Sequence, residues 1–387
     1  MPMQYNVAAN KILWLRENMP KVFNKTYKFV SFQDYLVWKL TGNFAIDYSM
    51  ASRMMLMDIH KKAWSAEMLN IANISEDMLS DPCPSGVVVG EVSAEVAEEI
   101  GLSGGTAVVS GGHDQACGAL GVGVINEGPV MDATGSVECI AAAVEKPVLT
   151  EDMLESKQCC YCHAVEDMYL TLGFLPSAGL VLRWFRDTFA EKEKEEAGKS
   201  ARNVYDILTE EASASPPGSS NLFLLPHFLG SGTGRSPALY AKSRGALIGL
   251  SIFHTRSDVI RSILEGITFE IRQIISLLEH TGIRVSELRS VGGGAKSSFW
   301  LQLKADMVNK RVIVPVITEA ASLGAAILAG IGVEVFKDFK SAVREVFREQ
   351  SVYEPRMENV KLYDRQYQIY EMVYPTLVRI FEKIFDL

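Results

Sequence analysis

The sequence predicts an α/β chain, and three observations predict it. From Gly128 onward, strand-like and helix-like periods alternate at short intervals. Just upstream, Thr106-Ala-Val-Val-Ser110 reads as a buried strand that ends in Gly111-Gly112 and runs into a small-residue helix from Asp114 to Gly123. Before it, the chain offers helices and polar stretches but no run of consecutive strands. At roughly 150 residues per domain, 387 residues imply two or three domains. A hydrophobic content of 48% against 22% charged excludes a disordered chain and supplies a large core.

The elements follow in order. Residues 7–19 carry Ile12, Leu13 and Leu15 on an apolar stripe that stops at Pro20, so they read as a helix. Ser31 and Asp34 form a capping-box pattern ahead of 35–40, and Gly42 closes that helix. A polar, methionine-rich stretch extends to about Asp81. Ser93 and Gly101 bracket a short amphipathic helix at 94–100. Strands are expected at 130–133, 136–143 and 168–172, then a helix at 177–189. A strand at 221–225, a long helix at 257–280 opened by the capping box Thr255-Arg-Ser-Asp258, and a strand at 288–291 come next. A helix at 297–308, a strand at 312–316 and a final helix from Glu319 complete the pattern. Acidic segments 191–196 and 210–220 read as solvated surface.

Three hairpin-linked strands followed by right-handed crossovers give the order of a ribonuclease-H-like domain. Two such domains in tandem form the actin-like nucleotide clamp. The first half of this chain has the helices and a late strand but not the opening three-strand meander. The expected fold is therefore two ribonuclease-H-like domains, the first one incomplete.

Composition excludes several partners. With 38 basic and 47 acidic residues the net charge is −9, so no global field attracts nucleic acid, and an anionic ligand must be held by local groups. No apolar run reaches the roughly eighteen residues of a membrane helix; the longest, 320–333, is bracketed by Glu319 and Glu334. The N-terminus lacks a basic-then-apolar leader, and the six cysteines form no spaced framework. A cytoplasmic protein is expected.

The sharpest motif is Gly111-Gly112-His113-Asp114-Gln115. The carboxyl end of a strand in an open α/β sheet is where ligands bind. A carboxylate placed there can accept a proton from a substrate hydroxyl, and the adjacent amide can bond a neighbouring hydroxyl. As a bare pattern Asp114 is equally readable as a helix N-cap. Thr134-Gly135-Ser136 lies between two strands, where N–H and hydroxyl groups can line a phosphate; alone, the tripeptide is an ordinary β-turn. Ser290-Val-Gly-Gly-Gly-Ala-Lys296 links a strand to a helix, and its glycines let backbone approach a ring or phosphate. Three other segments carry no chemistry. Gly198-Lys-Ser200 lies on a charged helix, and Gly101-Leu-Ser-Gly-Gly105 has helix before strand, the reverse of a nucleophile elbow. Cys159-Cys-Tyr-Cys-His163 lacks a second pair at zinc spacing and reads as buried cysteines on a strand.

With the Gly-Gly-His-Asp-Gln segment in hand, the chain resembles the FGGY family of carbohydrate kinases. The segments Phe32-Gln-Asp-Tyr-Leu-Val-Trp-Lys-Leu-Thr-Gly42 and Asp47-Tyr-Ser-Met-Ala-Ser52 resemble its N-terminal domain. Gly245-Ala-Leu-Ile-Gly-Leu250, Gly292-Gly-Gly-Ala-Lys296 and Leu323-Gly-Ala-Ala326 resemble its C-terminal one. The resemblance implies a sugar side at 1–124 and an ATP side at 125–387. It implies ATP and Mg²⁺ as cofactors and a sugar as substrate, and it leaves room for a homodimer. It makes Asp114 the catalytic base, with His113, Gln115 and Asn6 at the sugar. Gly135, Ser136, Gly179, Arg183, Gly293, Gly294 and Ser298 fall on ATP-binding positions. The family's first hundred or so residues, with an Asp-x-Gly-Thr phosphate hairpin, have no counterpart here. The rival expectation is thus a truncated or degenerate kinase that binds nucleotide without catalysis.

Overall fold

Alternation along Gly128–Thr134 and Glu138–Val144 builds the main sheet. Val130, Ile140 and Ala142 face one side, and Met131, Cys139 and Ala141 the other, so both faces are apolar and both must be covered. A computed structural model describes residues 7–232 and 242–386. It shows a seven-stranded sheet in the order Glu349–Tyr353, Arg311–Pro315, Val285–Gly292, Gly128–Thr134, Glu138–Val144, Tyr169–Leu175, Cys159–Cys162. Val285–Gly292 runs parallel to both its neighbours, and the remaining pairs are antiparallel. Inside two added edge strands lies the three-strand meander with two parallel crossover strands that the sequence predicts.

The long helix Arg256–His280, the helix Ser298–Val308 and the last helix Met357–Phe385 cover one face with Ile263, Ile267, Trp300, Leu301 and Tyr370. The other face is covered by Asp114–Gly121 and Ala320–Gly332. These two helices meet backbone to backbone. A Cβ at Gly121 would lie 2.0 Å from the Ala320 carbonyl oxygen, and one at Gly324 would lie 1.9 Å from that of Cys117. Only glycine fits at either position.

The earlier residues form a separate small core around Ile12, Ile46, Leu56, Trp64 and Leu79. Among the described residues its strands occur only as two-stranded pairs, Ala45–Asp47 with Asp81–Cys83, Met57–Asp58 with Ala63–Trp64, and Val88–Glu91 with Ala107–Val109. The capping boxes at Ser31 and Thr255 and the left-handed closures at Gly42 and Gly101 stand where the sequence places them.

Five expectations need correction. The strand Ala107–Val109 is not buried, because among the described residues it pairs with one partner and no third strand adds to it. The strand Phe223–Leu225 lies outside the main sheet, paired with Ala246–Ile248. Segment 210–220 is not wholly solvated: Ser215 and Ser219 are buried, where Asp258 and Glu265 accept their hydroxyl hydrogens at 2.6 and 2.7 Å. The polar stretch after Gly42 is structured, with the helix Tyr48–Arg53 capped by the Asp47 carboxylate. Ala320–Gly332 is not the final helix, since Phe339–Val346, Glu349–Tyr353 and Met357–Phe385 follow.

Candidate active site

Only Ser110 separates the end of the strand Ala107–Val109 from the two glycines, Gly111 and Gly112, that turn the chain into the helix Asp114–Gly121. A side chain at Gly112 would be tight, since a Cβ there would meet Cys117 Sγ at 3.0 Å and Ser49 Oγ at 3.3 Å. His113, not Asp114, holds the N-cap position. Its Nδ1 accepts the Gln115 N–H at 3.3 Å, while the Asp114 carboxylate accepts the same N–H at 2.7 Å. Asp114 is therefore the first helical residue, with its side chain 71% exposed. Gln115 carries a buried side-chain carbonyl without a protein partner. An exposed carboxylate beside an unsatisfied acceptor is a pair that two neighbouring hydroxyls could satisfy.

The loop is held from behind. The His113 N–H donates to Ser49 Oγ at 2.8 Å, and the Ser49 hydroxyl donates to the buried Asp47 carboxylate. Asp47 also accepts from the N–H groups of Ser49 and Met50. Burial pushes its carboxyl above the usual range, opposed by these hydrogen bonds. Burial also depresses His113, to about 4, so its imidazole is neutral near pH 7. Its ring meets the edge of Tyr161 at 5.6 Å, and Arg53 lies 5.2 Å over the same tyrosine and donates to Cys159 Sγ at 3.1 Å.

The second end of the site is the turn after Gly128–Thr134. The Gly135 and Ser136 carbonyls accept N–H groups of Gly179, Ala178 and Leu180 at 3.1–3.2 Å, which docks the turn on the helix Gly179–Phe189. A Cβ at Gly179 would sit 2.3 Å from the Gly135 oxygen. Gly292 has φ +84° and packs on the Thr134 carbonyl, whereas Gly293 is exposed and open. Gly294 is buried, and a Cβ there would lie 2.6 Å from Thr134 Cβ. It serves packing rather than open approach to a ring, so the positive φ of this loop belongs to Gly292. Gly135, Ser136, Gly179, Gly293 and Gly294 thus converge around Thr134. Ser298 is the exposed first residue of Ser298–Val308. Arg183 is exposed one turn along its helix, paired with Asp187 at 3.6 Å. Asn6 lies outside the described residues.

The helix that carries Asp114 and the strands on either side of the turn share one core, in which Ala116, Cys117 and Ala119 pack with Met131, Cys139 and Ala141. Burial pushes the Cys139 thiol up to about 12. Cys159, Cys160 and Cys162 are buried free thiols on one strand.

Sequence reasoning misses the foundation of this turn. Lys304 Nζ is buried and donates to both Asp132 oxygens at 2.8 and 2.6 Å and to Thr134 Oγ1. The Thr134 hydroxyl donates to Glu138 Oε1 at 3.2 Å, and Ser290 donates to Asp132. Burial opposes ionisation of Asp132, but the Lys304 ammonium outweighs it and holds that carboxyl below its usual range. Glu138, equally buried, is pushed well above its usual range by burial. The one signal was a lysine flanked directly by Leu303 and Ala305 within the helix Ser298–Val308.

Residues 1–121 match the N-terminal domain of the FGGY family of carbohydrate kinases, and residues 134–333 match its C-terminal domain. The chain belongs to the FGGY family. A xylulose kinase of Staphylococcus epidermidis is 33% identical over 373 residues, 96% of this chain and 72% of that protein. A gluconokinase of Bacillus subtilis is 31% identical over 329 residues, 84% of this chain and 63% of that protein. The crystal structure of a ligand-bound xylulose kinase from Lactobacillus acidophilus superposes with a TM-score of 0.89 at 25% identity, covering 99% of this chain and 75% of that one. This FGGY chain is accordingly a sugar kinase with ATP as co-substrate and the two-domain actin-like fold. No described helix is long and apolar enough to cross a membrane.

Proposed function

We propose that this kinase transfers the γ-phosphate of ATP to a hydroxyl of a pentulose, hexulose or polyol, with Asp114 as the base. The sugar side falls in 1–124 and the ATP side in 125–387, in the cytoplasm. The observation that carries the reading is the exposed Asp114 carboxylate at the start of a helix, beside a Gln115 carbonyl with no partner among the described residues, on a helix that shares a core with the strands flanking the 134–136 turn. Asp114 takes the proton of the attacking hydroxyl, and Gln115 and His113 orient the sugar. The Gly135 and Ser136 backbone and hydroxyl groups meet the phosphates, where the work is mainly positioning and charge stabilisation.

The glycines at 135 and 293 leave open space against the turn, which suits a nucleotide approaching backbone. A Mg²⁺ arriving with ATP would be held mainly by phosphate oxygens and water. When bound, that ion would neutralise phosphate charge.

The test is ADP release against a panel of sugars led by a ketopentose, the substrate class in the names of several relatives. Asp114→Asn should lower kcat by about 10²-fold or more while MgATP binding and melting temperature hold. Near-normal turnover would reduce Asp114 to part of the helix start. Nucleotide binding without any sugar-dependent ADP release by the parent would favour the non-catalytic reading.

A further inference from the structure

The phosphate turn rests on a charge cluster that the reaction itself does not use. Lys304, Asp132, Thr134, Glu138 and Ser290 are each at most 1% exposed. All three ammonium hydrogens of Lys304 are taken, two by Asp132 and one by Thr134 Oγ1, and the Trp300 ring lies 5.4 Å from its nitrogen. Glu138 Oε2 stands 3.9 Å away. Desolvating such a pair costs more than an apolar filling of the same volume, so stability alone does not account for it. Thr134 is the residue on which the site's segments meet. It starts the turn that docks on Gly179, its carbonyl packs on Gly292, and its side chain fills the space at Gly294. Thr134 Oγ1 is where the buried ammonium reaches that hub.

We propose that Lys304 is a positioning residue for phosphoryl transfer: a built-in cation that fixes Thr134, and through it the 134–136 turn, in the register that receives the nucleotide phosphates. This rests on the reading that the turn binds ATP. Lys304 touches no substrate itself. Its ammonium sets the Thr134 rotamer, Thr134 sets where the Gly135 and Ser136 groups point, and the glycine loop follows from the same contact.

The experiment uses the full chain, with MgATP and sugar affinities measured separately by calorimetry and melting temperature followed alongside. Thr134→Val keeps the shape and removes the hydroxyl. It should weaken MgATP binding by about tenfold, the scale of one hydrogen bond to a charged group, with sugar affinity kept. Thr134→Ser restores the hydroxyl and should return affinity to within about threefold of the parent. The double variant Asp132→Leu/Lys304→Met removes both charges together. It should melt close to the parent, as buried ion pairs replaced by apolar side chains often do, and still lose at least about tenfold in MgATP affinity. Should the double variant fail to fold, the Thr134 pair decides. A Thr134→Val chain that binds MgATP like the parent overturns the proposal. So does a folded double variant with parental affinity, or a Thr134→Val loss that sugar affinity shares. A parent that binds no MgATP overturns the underlying reading and the proposal with it, an outcome distinct from the others.

Discussion

The two ends of the site are built from opposite chemistry. At the end proposed to hold the base, the Gly-Gly-His-Asp loop hangs on a hydrogen-bond relay in which the His113 N–H donates to Ser49 and Ser49 donates to Asp47. At the end proposed to receive the phosphates, the Thr-Gly-Ser turn stands on a buried ammonium and carboxylate. Asp114 is exposed and bonded only to its own neighbours, whereas Thr134 is locked on every side. A group proposed to meet a hydroxyl and take its proton needs access and room to adjust. A turn that must hold several phosphate oxygens gains most from being fixed in advance.

The comparison breaks at its sharpest point in Asp114→Asn, whose loss of about 10²-fold in kcat should leave the phosphate end untouched. The readout is single-turnover phosphorylation beside MgATP titration. Next in size is Gly294→Val. Its added side chain meets Thr134 at 2.6 Å, so the fixed end should yield. We expect MgATP affinity to fall by about tenfold, with sugar affinity retained, in calorimetry of a folded variant. Equal loss of both affinities would mean that the two ends are not separate.

Ser49→Ala tests the relay. It leaves the partly buried His113 N–H without its acceptor, which should cost about 1–3 kcal/mol of stability in denaturant titration and lower kcat a few-fold. The smallest effect concerns pH. Burial holds His113 and His163 neutral, each near 4 against an ordinary 6.5. The unfolded chain binds more protons than the folded one between those values, so stability is full above about 6.5 and declines as pH falls toward about 4. Melting temperatures at pH 7, 6 and 5 should fall in that order. His163→Gln, which cannot charge, should flatten the decline.

Much of this was legible in the sequence, and what was missed has a common cause. Asp114 and the 134–136 turn were readable because strand, glycine and helix follow one another locally, and the caps at Ser31 and Thr255 are three-residue patterns. Lys304 was not readable. Its partner Asp132 lies 172 positions away, and only the folded sheet brings the two together. The burial of Ser215 and Ser219 escaped notice for the same reason, since the carboxylates that bind them sit on the long helix. The exposure of Ala107–Val109 depended on how many strands lie beside it, which no local pattern records.

The glycine crossing of Asp114–Gly121 with Ala320–Gly332 also bears on how the chain is assembled. Gly121 and Gly324 are separated by roughly two hundred residues, so the contact is among the most non-local in the molecule and belongs late in folding. On the ribosome, the helix that carries Asp114 emerges long before the surface it must lie against. Ala116, Ala119 and Leu120, all fully buried in the finished protein, then wait uncovered while the sheet and its other helices are made. Asp114 gains this packing surface only after residues 320–332 are made, so a nascent chain interrupted before them would carry the Gly-Gly-His-Asp and Thr-Gly-Ser segments and still lack a settled Asp114.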